Sequence, residues 1–162
     1  MNDSEFRKNA IPIHANANDL PYAQEYFDAI VSIDSFHYFA IGENYFREKI
    51  LPFLKTGGVA VIAMPGLKEE FYGEAPELMM EWVDGDQGEL DLFHSREWWL
   101  NRLAGGEDFE VIMDFDMDCL EEAWRDWFAT RHEFAIRDEE FFERGIGKYL
   151  SFVGLVIRRT GA

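Results

Sequence analysis

The chain of 162 residues is poor in cysteine: Cys119 stands alone, so no intrachain disulfide can form. Its first ten residues, MNDSEFRKNA, lack the apolar run of a signal peptide, and the expected setting is the reducing cytoplasm. No uninterrupted apolar stretch reaches the roughly 20 residues a membrane-spanning helix needs, so no membrane is expected as a partner. Positive charge is scarce. Fifteen Lys and Arg against 32 Asp and Glu give a formal net charge of −17, which repels phosphate backbones and anionic lipid and argues against nucleic acid. There is no G-x-S-x-G elbow, no Gly-rich phosphate loop and no zinc-type Cys/His spacing. Asp114, Asp116 and Asp118 have the spacing that opens a calcium loop, but Cys119 sits where that loop needs glycine and Arg125 where it needs a bidentate glutamate. No metal site is expected. With no internal repeat and no Pro- or Ser-rich linker, residues 1–162 read as one domain.

What is present is apolar and aromatic: 48% hydrophobic and 16% aromatic residues suffice for a core. Ile11 to His14 predicts a short strand, with a loop over 15–22. DAIVSI at 28–33 and VAVIAM at 59–64 are continuous β-branched runs, the composition of parallel strands covered on both faces. Between them Phe46, Ile50, Phe53 and Leu54 recur at helical spacing, so strand, helix and strand form a crossover unit of an α/β sheet. Ser95 caps a predicted helix over REWWLNRL, with Trp98, Trp99 and Leu103 as its apolar side. FEVIMDFDMD at 109–118 reads as a strand with Asp114, Asp116 and Asp118 on a wet face and Phe115 and Met117 on the other. An amphipathic helix follows with Leu120, Trp124, Trp127 and Phe128 in one stripe and capping-box spacing between Asp118 and Glu121. A helical insertion at about 119–148 then leads to the last strand, YLSFVGLVIRR.

In an open α/β sheet ligands sit beyond the carboxyl ends of the strands, which singles out Asp34-Ser35-Phe36-His37-Tyr38-Phe39 after the run at 28–33. His37 can serve as a general base near neutral pH, and Tyr38 and Asp34 can orient a polar group. His94, beside the Ser95 cap, is a weaker candidate for touching a substrate. Trp124 and Trp127 join it because their helix lies between the last two strands, where an insertion can cover a cleft.

The ordered pieces ANANDLPY, YFDAIVSIDSFHYF and ILPFLKTGGVAVIAMPGLK, from residue 11 to 68, resemble the second half of a class I S-adenosylmethionine-dependent methyltransferase of the small-molecule type. LDLFHSREWWLNRL and the strand after it are similar to the subgroup labelled as like cyclopropane fatty-acid synthases. The resemblance implies an α/β fold: a partial Rossmann-like sheet of the family's strands three to seven, helices on both faces and an antiparallel last strand. It implies S-adenosylmethionine as cofactor, a small-molecule acceptor, and methyl transfer by in-line displacement. Carried over by position, the adenine loop falls on Asn16, Ala17, Asp19 and Leu20, and the methionine side on Ser32, Asp34 and Ser35. His37 and Tyr38 fall where the acceptor approaches, as the catalytic pair.

The family's glycine-rich turn and ribose-binding acid have no counterpart in this sequence, so the cofactor site is expected to be incomplete and the chain to be the carboxyl-terminal portion of an enzyme, a truncated domain whose activity alone stays open. The run at 28–33 is then expected to be an unpaired apolar edge and the segment at 11–14 to be cut off from the sheet. A homodimer covering that edge follows as one expectation. The alternative function is a non-catalytic α/β module for binding or oligomerisation.

Overall fold

The computed structural model describes residues 10–161; the expected domain bounds at residues 1 and 162 lie outside them. Four strands form an open mixed sheet, β1 (Phe27–Ile33), β2 (Leu54–Leu67), β3 (Phe109–Asp116) and β4 (Leu150–Arg159), in the order β1-β2-β4-β3. β1 runs parallel to β2, while β4 is antiparallel to both of its neighbours. The α/β architecture and the antiparallel last strand are those the sequence predicts.

The crossover from β1 to β2 is helical but broken. Phe46–Ile50 is a π-helical turn and Leu51–Phe53 a 3-10 turn, because Pro52 has no N–H to continue the ladder. The spacing still does its packing work: Phe46, Ile50, Leu51 and Leu54 are all buried. β2 starts earlier than the run at 59–64 suggests. Phe27 pairs with Leu54, and regular pairing resumes only at Ala29 with Val59. The intervening loop of β2 is glycine-dependent: Gly57 has φ +80°, and a β-carbon on Gly58 would lie 2.8 Å from the Lys55 carbonyl oxygen.

Three local expectations are corrected. Residues 11–14 form no strand, and Ile11 and Ile13 are exposed; a strand needs a partner's hydrogen-bond ladder, and no described strand pairs with them. β1 is not covered on both faces. Ile30 packs into the core, but Val31 and Ile33 are 62% and 70% exposed, since β1 is the sheet's edge among the described residues. On β3 neither face is dry: Arg96 pairs with Asp114 and Asp116, whose side chains stay 32% and 47% exposed, and Met113 and Phe115 on the opposite side are exposed as well.

Helix α1 spans Glu77–Trp82, α2 Gln87–Leu90, α3 Arg96–Leu103, α4 Leu120–Ala129 and α5 Glu133–Glu143. As predicted, Ser95 caps α3, its Oγ accepting from the Trp98 N–H at 3.2 Å. α3 seats Trp99 and Leu103 against Ala60, Ile62, Met64, Leu155 and Ile157 on one sheet face; truncating a buried side chain the size of Trp99 costs about 3–5 kcal/mol. The capping box expected for α4 does not form. Cys119 occupies the cap and makes no side-chain capping bond. A second cluster, around Leu67, Met79, Val83, Leu90, Ile146 and Leu150, joins α1, α2 and the end of α5 to the carboxyl end of β2. On the other sheet face Trp124 of α4 stacks over Phe152. That packing opens a space between α4, α5 and the strand ends.

Candidate functional site

A cavity of about 510 Å³ lies at the carboxyl ends of β1 and β2. Its floor is Ile33, Asp34, Ala63, Met64 and Pro65; Trp124 and Trp127 of α4 and Asp138 of α5 close it from above. Tyr38, Trp82, Phe93 and Phe152 complete an aromatic wall, and Cys119 and Ser151 also line it. The sheet explains the position: β1 ends at Ile33, and the chain turns sharply through Asp34, at φ +53° with its N–H bonded to the Ala63 carbonyl. A non-glycine residue held in the left-handed region at the end of a strand marks a strained, fixed turn.

Asp138 organises the aromatic wall. Its two carboxylate oxygens accept from the indole N–H groups of Trp82 at 2.8 Å and Trp127 at 2.9 Å. The residue carries a charge-assisted pair of bonds between α1, α4 and α5. Sequence reading found Trp124 and Trp127 but missed Asp138, Trp82 and Phe93. Nothing local marks Asp138 among the many acids of 138–143, because its partner Trp82 is 56 residues away.

Of the predicted catalytic pair, Tyr38 lines the cavity and His37 does not. His37 is fully buried, with its ring 4.0 Å from that of Tyr38 and 5.8 Å from that of Phe93. Among the described residues neither ring nitrogen has a hydrogen-bond partner. Burial holds its pKa below the usual histidine value, with Asp34 opposing in part, so the ring is neutral at pH 7. Partial burial, aided by Asp34 and Glu89, raises the Tyr38 hydroxyl.

Of the expected cofactor residues Asp34 lines the cavity, and Asn16, Ala17, Asp19, Leu20, Ser32 and Ser35 do not. Asn16 Oδ1 accepts from the Asn18 N–H and its carbonyl from the Asp19 N–H, both at 2.9 Å, so a tight turn sets the loop. Tyr45 donates to the Ala17 carbonyl at 2.8 Å, and its ring packs on Phe36 and Phe39. That contact ties the loop of 16–20 to the segment following β1. The Ser32 and Ser35 hydroxyls lie 3.0 Å apart. His94 sits away from the cavity lining: its Nδ1 is 3.1 Å from Glu70 Oε2, and its ring stacks on Trp98. Among the described residues no group of three His, Cys, Asp or Glu side chains could hold a metal ion, and no helix is long and apolar enough to cross a membrane.

The fold is shared with solved methyltransferase structures. Residues 2–62 match a family model described as a methyltransferase domain. No curated protein matches the sequence. Among solved structures, a putative sarcosine dimethylglycine methyltransferase from Galdieria sulphuraria superposes with TM-score 0.71 at 18% identity, over 98% of this chain and 62% of that one. Geranyl diphosphate C-methyltransferase from Streptomyces coelicolor A3(2), solved with Mg2+, geranyl diphosphate and S-adenosyl-L-homocysteine, gives TM-score 0.62 at 18% identity over 90% and 51%. The [4+2]-cyclase SpnF gives 0.59, again at 18%, over 91% and 56%. The chain therefore spans 51 to 62% of the length of these three structures. At such identities the likeness is one of fold, and one fold carries more than one chemistry.

Proposed function

We propose that the chain forms the acceptor-side portion of an S-adenosylmethionine-dependent methyltransferase acting on a small molecule in the cytoplasm. The observation that carries this reading is the cavity at the carboxyl ends of β1 and β2, walled by α4 and α5. The tight turn at Asn16–Asp19, tied by Tyr45 to the segment after β1, supports a cofactor-binding role for this loop. Asn16, Ala17, Asp19 and Leu20 would flank the cofactor's adenine, and Ser32, Asp34 and Ser35 its methionine end. When bound it would supply an electrophilic methyl group on a sulfonium, open to in-line attack by a lone pair of the acceptor.

The chain's own residues then bind, orient and exclude water. Tyr38 and Asp34 meet the acceptor at the cavity, with the neutral His37 packed beneath Tyr38 and holding its ring. Trp124 and Trp127 shield the site. His94, paired with Glu70, serves in this reading as a support for the loop rather than as a substrate contact.

Calorimetric titration with S-adenosylhomocysteine tests the reading, using this chain and a version carrying further upstream sequence. Saturable heat with either, followed by methyl transfer to an acceptor, supports it; no heat with both overturns it. The exposed edge of β1 favours a second reading, a non-catalytic α/β module whose edge recruits a second copy. In that case the chain binds no cofactor yet self-associates.

A further inference from the structure

We infer that the cavity under α4 and α5 takes a cationic alkylammonium group, the charged end of an acceptor whose methylated atom is a separate one carrying the free lone pair; this deepens the methyltransferase reading and rests on it only for the group's place in an acceptor. Among the described residues two carboxylates, Asp34 and Asp138, line the cavity and no Lys, Arg or His does. The nearest base in sequence, Arg137, is engaged elsewhere, by the Trp82 carbonyl at 2.7 Å and Asp84 at 2.8 Å, and does not line the space. An anionic group placed there would meet like charge with nothing to offset it. The phosphorylated ligands of some structures with this fold, such as geranyl diphosphate, find no counter-charge on these walls.

The aromatic walls favour the opposite sign. Trp82, Trp124, Trp127, Phe93 and Tyr38 surround the space, and a cation over an indole face is attracted by the ring quadrupole. Asp138 strengthens two of these faces. Each of its oxygens takes an indole N–H, of Trp82 and of Trp127, and a donor bonded to an anion is polarised toward its own ring. A carboxylate has about four lone-pair sites, so the two indoles leave Asp138 able to oppose a further positive charge. The formal net charge of −17 also draws cations toward the molecule.

Tryptophan fluorescence of the full chain, titrated with choline, with its neutral carbon isostere 3,3-dimethylbutan-1-ol and with phosphocholine, tests the inference without any methyl donor. Choline is expected to saturate with a dissociation constant at least about ten-fold below that of the isostere, and phosphocholine is expected to bind more weakly than choline. In Asp138→Asn the preference for choline over the isostere is expected to collapse. Isostere binding as tight as choline, no saturation with choline, or a preference undiminished in Asp138→Asn overturns the inference. The choline-to-isostere ratio of the unmodified chain needs no variant to fold. Failure of S-adenosylhomocysteine binding would sink the methyltransferase reading and leave this ratio as readable as before.

Discussion

Trp127 on α4 and Asp138 on α5 are joined by a 2.9 Å hydrogen bond from the indole N–H to a carboxylate oxygen, and the other oxygen of the same carboxylate accepts from Trp82 on α1. Three helices therefore meet on one side chain. Asp138→Ala orphans both indole donors, and with the site half open to water the expected loss is about 2 kcal/mol, from 1–3 kcal/mol per unsatisfied buried group. Asp138→Asn keeps one acceptor oxygen and is expected to lose roughly half as much. Urea unfolding followed by tryptophan fluorescence measures both; equal stability of Asp138→Ala and the parent would show that the two bonds do not hold the helices.

His37 makes stability depend on pH. Its folded pKa lies below the ordinary value of 6.5 because burial disfavours the charged ring. The unfolded chain therefore takes up a proton first as pH falls, and the contribution of His37, whole above about pH 6.5, is lost progressively below it toward the lowered folded value. His37→Phe keeps an aromatic ring between Tyr38 and Phe93 and removes the titration. Denaturation midpoints at about pH 7.5 and 5.5 are expected to differ less in the variant than in the parent. An unchanged difference would mean that other groups carry the acid sensitivity.

Gly66 holds the junction of β2 and the loop before α3. A β-carbon there would overlap the His94 carbonyl oxygen, the group that accepts from the Leu67 N–H at 3.2 Å. Gly66→Ala must push these backbones apart, at an expected cost of about 1–3 kcal/mol. A thermal melt within error of the parent would contradict the close approach.

The elements legible in the sequence are those whose signal is local. β1, the core of β2, the Ser95 cap and α4 each announce themselves by periodicity or a capping residue, and the structure has all of them. The site was half legible for the same reason. Tyr38, Trp124 and Trp127 stand where a strand end or an insertion places ligand contacts, whereas Asp138, Trp82 and Phe93 come together only through the packing of α1 and α5. Tertiary pairing also decided the misreadings. Ile11 to His14 has strand composition but no ladder to join among the described residues, and the apolar side of β3, with Met113 and Phe115, is left as open as its acidic side.

The outer face of the sheet carries the last expectation. Val31 and Ile33 of β1, Val61 of β2, and Met113 and Phe115 of β3 are all exposed on one side, and cross-strand pairing of Val31 with Val61 and of Val61 with Val156, itself opposite Met113, makes them contiguous. An apolar surface next to a strand edge unpaired among the described residues favours association, while a net charge of −17 on each copy opposes it. Salt decides between the two, because at about 0.5 M the screening length falls to a few ångströms and only the repulsion is weakened. Light scattering coupled to size exclusion is expected to give a mass that rises toward the dimer as salt increases, and Val31→Lys with Ile33→Lys is expected to stay monomeric throughout. A parent chain that remains a monomer at every salt concentration would remove the case for a second copy on this face.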